Sequence, residues 1–137
     1  MLHFNKPEEE RNKTRVLIVD DETTVTRMVK RNLEATGDYQ VEAVNDSIDA
    51  VNRAKEFLPH IILLDIVMPQ ADGGDVANGL RSRSATKNIP IIFVSAMVSP
   101  KEAQRGLYES GGEHFLAKPI NTEILSEAIE TVLSLQK

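Results

Sequence analysis

The chain has 137 residues, of which 21 are acidic and 16 basic, so its formal net charge is −5, and it contains no cysteine. This length fits a single domain with a sizeable core. The absence of cysteine excludes disulfides, zinc–thiolate sites and thiol nucleophiles, and the acidic balance argues against direct binding of nucleic acid or of an anionic membrane.

Residues 1–13 are polar and charged, so we expect a solvated tail ahead of one domain that spans residues 14–137. The tail lacks the apolar stretch of a signal peptide. The longest apolar runs have the length of strands, well short of the roughly 20 residues of a membrane-spanning helix. We therefore expect a soluble, cytoplasmic protein that does not bind membranes.

Short β-branched runs alternate along the chain with segments of helical periodicity, which favours βαβ units around a parallel sheet. The predicted elements are, in chain order, a strand at 16–19, a helix at 23–35, a strand at 40–44, a helix from about 47 to 57, a central strand at 61–64, a helix at about 75–84, a strand at 91–94, a helix from 99 to about 110, a strand at 114–117 and a helix from about 121 to 136. In the second helix we expect Asp46 or Ser47 to be the cap, with Ile48, Val51 and Ala54 turned inward.

Polar residues that suit one site follow four of these strands. Asp20 and Asp21 follow the first strand, Asp65 the central strand, Ser95 the fourth and Lys118 the fifth. Because the carboxyl ends of parallel strands meet at one edge of a sheet, we expect these side chains to share a pocket. Three carboxylates, a hydroxyl and an ammonium group form a site for a divalent cation and a phosphoryl group.

These pieces, in this order and spacing, resemble the receiver domain of response regulators. The motifs are Leu17-Ile18-Val19-Asp20-Asp21-Glu22, Leu63-Leu64-Asp65-Ile66-Val67-Met68-Pro69 with Asp72-Gly73, Val94-Ser95-Ala96, and Lys118-Pro119. The resemblance covers residues 14–137. It implies an α/β fold of the CheY-like (flavodoxin-like) class, a doubly wound (βα)5 domain whose five-stranded parallel sheet has the order 2-1-3-4-5.

By that resemblance, Asp65 accepts a phosphoryl group from a sensor histidine kinase or a phosphotransfer protein, with Mg²⁺ as cofactor. The resemblance implies that Asp21 contacts Mg²⁺ directly, that Asp20 often acts through water, and that Asp65 and the backbone carbonyl of Val67 complete the protein ligands. A carboxylate can attack phosphorus only where its charge and that of the phosphoryl oxygens are offset, which a hard cation does well. We expect Glu22 to favour the positive end of the first helix rather than to bind metal.

The resemblance also gives roles to the remaining site residues. Ser95 hydrogen-bonds one phosphoryl oxygen and Lys118 pairs with another, and the Lys118–Pro119 peptide bond is usually cis in the family. Signalling then moves Ser95 toward the phosphoryl group and rearranges an aromatic residue, here Phe115, although a plain core phenylalanine is an equal alternative. Val67 and Met97 are apolar, and in this family their positions influence the water that attacks the acyl phosphate. We therefore expect self-dephosphorylation to be slow.

Alternative interpretations stay open for the residues and for the whole chain. Taken singly, each aspartate suits a helix cap, Ser95 a loop hydroxyl and Lys118 a solvated lysine. The basic residues Arg27, Lys30 and Arg31 suit either a solvated face or a kinase-docking surface.

The output partner is not defined by the sequence. The apolar face of the last helix suits core packing or a phosphorylation-dependent homodimer. A non-phosphorylated pseudo-receiver is the main alternative function. A Mg²⁺-dependent phosphohydrolase is less favoured, because Val67 occupies the place of its usual second aspartate.

Overall fold

The computed structural model describes residues 12–66, 73–96 and 106–136 of the chain. The strands are β1 (Thr14–Val19), β2 (Tyr39–Val44), β3 (Ile61–Asp65), β4 (Ile91–Ser95), β5 (Tyr108–Ser110) and β6 (Glu113–Ala117). The helices are α1 (Thr23–Ala35), α2 (Ala50–Phe57), α3 (Gly73–Arg81) and α4 (Thr122–Ser134), with one 3₁₀ turn at Ser47–Asp49. Within these ranges no helix is long and apolar enough to cross a membrane.

The strands form one sheet in the order β2-β1-β3-β4-β6-β5. All neighbouring pairs are parallel except β5 and β6, which are antiparallel. The predicted order of five parallel strands, 2-1-3-4-5, is confirmed, since β6 is the fifth strand of that prediction. The prediction of an α/β fold of the CheY-like class is therefore also confirmed.

The core lies on both faces of the sheet because successive strand residues point to opposite sides. On one face Val16, Ile18 and Leu63 pack with buried residues of α1 and α4. On the other face Leu17 and Leu64 pack with buried residues of α2 and α3. All five residues of β3 are buried, as expected for a central strand that helices cover on both sides.

The hairpin of β5 and β6 contradicts the predicted fourth helix, which was to run from Ser99 to about Ser110. Residues 97–105 lie outside the described part, but Tyr108–Ser110 form a strand. Gly111 and Gly112 have φ angles of 59° and 81°, and such a pair makes the tight two-residue turn that joins antiparallel strands. The helical prediction is wrong over Tyr108–Ser110 because this turn folds them back onto β6.

The start of the second helical segment also differs from its prediction. Asp46 caps it as expected, accepting a hydrogen bond from the backbone N–H of Ile48 at 3.1 Å. Its first residues form the 3₁₀ turn, however, and Ile48 is 71% exposed instead of turned inward. The tighter winding of a 3₁₀ turn rotates Ile48 away from the face that Ala54 buries.

The edge strand β2 is tied to α1 by two side chains of that helix. Glu34 accepts a hydrogen bond from the backbone N–H of Val41 at 2.9 Å. The Lys30 ammonium donates to the backbone carbonyl of Val41 at 2.7 Å and to Glu34 at 3.0 Å. Lys30 is therefore engaged within the domain, although its side chain is exposed like those of Arg27 and Arg31.

Candidate functional site

The polar residues singled out in the sequence meet at the carboxyl edge of the sheet. Asp20 directly follows β1, Asp65 and Ser95 end β3 and β4, and Lys118 directly follows β6. Backbone hydrogen bonds continue the pairing to this edge, since the N–H of Asp20 donates to Val44 at 3.0 Å and that of Lys118 donates to Ser95 at 2.9 Å. The strand register therefore brings these groups together.

Three aspartates form a cluster of hard oxygen donors at this edge. One carboxylate oxygen each of Asp20, Asp21 and Asp65 lie within 4.8 Å of one another. Asp20 and Asp65 are only 2% and 5% exposed, whereas Asp21 lies at the surface. Mg²⁺ takes oxygen ligands at about 2.1 Å, so carboxylates this close are nearly positioned for a single ion. The cluster fits a divalent cation in its chemistry and its spacing.

The Lys118 ammonium group lies among the acidic side chains. Its Nζ is 2.8 Å from Asp20 Oδ2 and 3.6 Å from Asp65 Oδ1. Burial alone lowers the pKa of Lys118, but the hydrogen bond and negative charge of Asp20, together with the charge of Asp65, outweigh it and raise that pKa above its usual value. Lys118 is thus held as a cation beside Asp65. The Lys118–Pro119 peptide bond is cis, as the resemblance implied.

A third carboxylate, that of Glu22, also contacts Lys118. Glu22 Oε1 lies 3.2 Å from Lys118 Nζ. Glu22 is the N-cap residue of α1, yet its side chain makes no capping hydrogen bond. The run Asp20-Asp21-Glu22 places this carboxylate next to the aspartates in the sequence, but sequence reasoning assigns Glu22 to the positive end of the helix and does not find its contact with the lysine.

Asn45 is a second residue that sequence reasoning missed. Its side-chain amide donates to the backbone carbonyl of Asp20 and to the hydroxyl of Thr26, both at 2.9 Å. Thr26 is buried in α1. Asn45 therefore links the end of β2 to the end of β1 and to the helix that follows, and it holds the backbone beside the aspartate cluster.

Phe115 stands beside the site on β6, in a stack of three aromatic rings. Its ring centroid is 5.6 Å from that of Phe93 and 5.3 Å from that of Tyr108, with interplanar angles of 29° and 16°. Phe115 is half-buried, and Phe93 is buried.

Two of the predicted residues, Val67 and Met97, lie outside the described residues.

Comparison with known proteins agrees with this architecture. A family model described as the response regulator receiver domain matches residues 16–130. The response regulator Rre1 of Synechocystis sp. is 30% identical over 122 residues, which cover 89% of this chain and 52% of the relative. The phosphate regulon transcriptional regulatory protein PhoB of Escherichia coli is 34% identical over 119 residues, which cover 87% of this chain and 51% of the relative. The chain thus spans about half the length of these curated relatives.

Solved structures give the same result. The chemotaxis protein CheY4 of Vibrio cholerae superimposes with a TM-score of 0.74 at 31% identity, covering 88% of this chain and 98% of that one. The receiver domain of the hybrid histidine kinase CckA superimposes with a TM-score of 0.69 at 28% identity, covering 87% of this chain and 98% of that one. The chain belongs to the family of response regulator receiver domains.

Proposed function

We propose that this receiver domain is a Mg²⁺-dependent phosphoacceptor that takes a phosphoryl group on Asp65 from a sensor histidine kinase or a phosphotransfer protein. The observation that carries the proposal is the placement of the buried Asp65 carboxylate. It lies 3.6 Å from the Lys118 ammonium and within 4.8 Å of ligand oxygens of Asp20 and Asp21. Few structural roles would gather three carboxylates and one cation at the end of a sheet.

The proposed chemistry is an in-line transfer to a carboxylate. An oxygen of Asp65 forms a bond to phosphorus while the bond between phosphorus and the donor breaks, and the donor leaves with that electron pair. Asp21 and Asp65 would hold Mg²⁺, with Asp20 often acting through water and the Val67 carbonyl as the resemblance implies, and the ion would neutralise charge on the phosphoryl oxygens. Lys118 pairs with one phosphoryl oxygen and the Ser95 hydroxyl donates to another.

We propose a changed binding surface, rather than turnover of a substrate, as the output. Receiver domains are generally non-enzymatic signalling modules. The buried Ser95 follows the phosphoryl group, and the half-buried Phe115 ring rearranges in response. The partner that reads this surface is a further protein or a second phosphorylated copy of the chain.

The direct test is the intact mass of the protein after incubation with acetyl phosphate and Mg²⁺. We expect the wild type to gain one phosphoryl group and Asp65→Asn to gain none, because an amide cannot act as the nucleophile. Asp49→Asn is a matched control, since Asp49 is exposed and makes no side-chain capping bond. It should react like the wild type. No gain in any of the three proteins would favour a pseudo-receiver that binds its partner without phosphorylation.

We also propose that the phosphorylated form loses its phosphoryl group slowly without help. Val67 and Met97 carry apolar side chains, which cannot orient an attacking water. Replacing both, as Val67→Asn with Met97→Glu, should shorten the lifetime measured by the decay of the phosphorylated mass. A fast decay that is the same in wild type and double variant would contradict this proposal.

A further inference from the structure

Lys118 is surrounded by more acidic partners than the proposed transfer uses. The closest distances from its Nζ are 2.8 Å to Asp20, 3.2 Å to Glu22 and 3.6 Å to Asp65. An ammonium group has three N–H donors. The contacts with Asp20 and Glu22 are at hydrogen-bond distance, whereas that with Asp65 is too long for a hydrogen bond. A phosphoryl group that arrives on Asp65 draws the ammonium group toward itself, in competition with the carboxylates of Asp20 and Glu22.

Glu22 is the partner that Lys118 can leave at least cost. The Asp20 side chain is 3% exposed, and both of its oxygens have donors, one from Lys118 and one from the backbone N–H of Glu22 at 2.9 Å. The Glu22 side chain is 58% exposed, so water can replace the lysine there. An isolated buried carboxylate would be far more costly to leave without its cation.

We propose that Glu22 is a positioning residue that holds Lys118 before phosphorylation and releases it to the phosphoryl group. This inference rests on the phosphoacceptor function proposed above. The Glu22 carboxylate competes with the incoming phosphoryl oxygens for the same ammonium group. It therefore stabilises the unphosphorylated site and slows entry of an anionic donor.

Two opposite effects distinguish this role from a merely structural one. In Glu22→Gln the carboxylate is lost, so the unphosphorylated protein should be less stable while its reaction with acetyl phosphate should be faster. Exposed ion pairs contribute modestly to stability. We therefore expect a change of about two- to fivefold in the phosphorylation rate and in the equilibrium constant of unfolding. A residue that only supports the fold would lower both stability and rate when it is replaced.

The experiment measures the rate of mass gain with acetyl phosphate and Mg²⁺, and the urea unfolding of the unphosphorylated protein. In the reaction the bond from Asp65 to phosphorus forms, the bond from phosphorus to the acetyl oxygen breaks, and acetate leaves. The control is Glu56→Gln, which makes the same change of charge at an exposed glutamate of α2. It should react at the wild-type rate. Glu22→Asp keeps the charge and should return the rate toward that of the wild type.

A Glu22→Gln rate equal to or below that of a reactive wild type would overturn the role of Glu22 and leave the phosphoacceptor function intact. Unchanged unfolding in Glu22→Gln would also overturn it, because the contact with Lys118 would then have no energetic effect. A wild type that gains no mass would instead overturn the phosphoacceptor function, and this inference with it.

Discussion

Asp20 and Asp21 are neighbours in the chain with different surroundings. Asp20 is buried and its two oxygens accept from Lys118 and from the backbone N–H of Glu22. Asp21 is exposed, so its carboxylate can turn toward an ion without breaking the contacts of the lysine. At the residue scale, Asp21 is therefore the side chain best suited to respond to a cation.

Magnesium should stabilise the protein through this aspartate. Clustered carboxylates repel one another, and a bound cation relieves that repulsion. We expect the melting temperature of the wild type to rise by a few degrees at millimolar Mg²⁺. Asp21→Asn should melt higher than the wild type without Mg²⁺, because one charge is removed, and should respond less to the ion.

Thermal melts with and without Mg²⁺ make this measurement, and Asp49→Asn again serves as the control. An equal rise in all three proteins would mean that the ion acts through ionic strength, and it would contradict the ligand assignment.

At the scale of elements, α3 begins against the end of β3. A Cβ added to Gly73 would lie 2.7 Å from the backbone oxygen of Asp65 and 2.9 Å from the Cα of Ile66. The N–H of Gly73 also donates to the carbonyl of Ile66 at 2.7 Å. Glycine thus lets the helix approach the strand that carries Asp65.

Gly73→Ala should destabilise the protein by about 1–3 kcal/mol, because backbone atoms cannot move aside as a side chain can. Urea unfolding measures the loss, and the intact-mass assay should show slower phosphorylation, since the strain falls on Asp65. Gly79→Ala is the matched control within the same helix. Its Cβ would meet side chains alone, that of Val51 at 3.2 Å and that of Arg83 at 3.9 Å. Equal effects of the two substitutions would contradict the close-approach argument.

His60, just before β3, accepts a hydrogen bond that depends on pH. The backbone N–H of Arg15 donates to Nδ1 of His60 at 2.9 Å, which requires an unprotonated Nδ1. Burial, and then the charge of Arg15, lower the pKa of His60 below its usual 6.5. The folded state therefore resists protonation of His60. The contribution of the Arg15–His60 hydrogen bond to stability is complete above about pH 6.5 and is lost as the pH falls toward the lowered pKa.

We expect the wild type to lose more stability than His60→Ala when urea unfolding is compared at pH 7.5 and pH 5.5. The difference should stay below about 1 kcal/mol, because the contact is near the surface. The other two histidines are present in both proteins, so the comparison isolates His60. Parallel losses in the two proteins would show that the Arg15 contact is not the cause.

Much of this element-level architecture could be predicted from the sequence. Apolar runs such as Ile61–Leu64 are too short and too β-branched for helices, and the polar residue after each run predicted the edge where the site lies. The contact of Glu22 with Lys118 joins residues 96 positions apart, and no local pattern encodes such a distance. Ile48 and Tyr108 were misjudged because a 3₁₀ turn and a glycine turn changed the local geometry that periodicity assumes.

At the scale of the whole molecule, the question is whether copies of the domain associate. Most apolar side chains of α4, including Leu125, Ile129 and Val132, are buried in the core. Ile124 and Leu135 are 44% and 60% exposed, but they lie about 16 Å apart along the helix axis. Within the described part of the chain they form no continuous apolar patch, so core packing accounts for most of the predicted stripe.

We therefore expect the unphosphorylated protein to be monomeric in light scattering. The proposed phosphorylation-dependent homodimer is tested by repeating the measurement after treatment with acetyl phosphate and Mg²⁺, with Asp65→Asn treated in parallel. A doubled mass in the treated wild type alone would support it. A monomeric mass for the fully phosphorylated protein would exclude it.

The contacts of Lys30 and Glu34 with Val41 have a consequence for solubility under stress. An open sheet exposes unpaired backbone groups along its outer strands, and these groups can recruit a strand from another molecule. On β2, the N–H and carbonyl of Val41 are already bonded to the two side chains. On the opposite border, β5 has only three residues, and Glu109 on it is exposed. The occupied backbone groups of Val41 on one border, and the short, charged β5 on the other, thus disfavour the edge-to-edge pairing that begins aggregation.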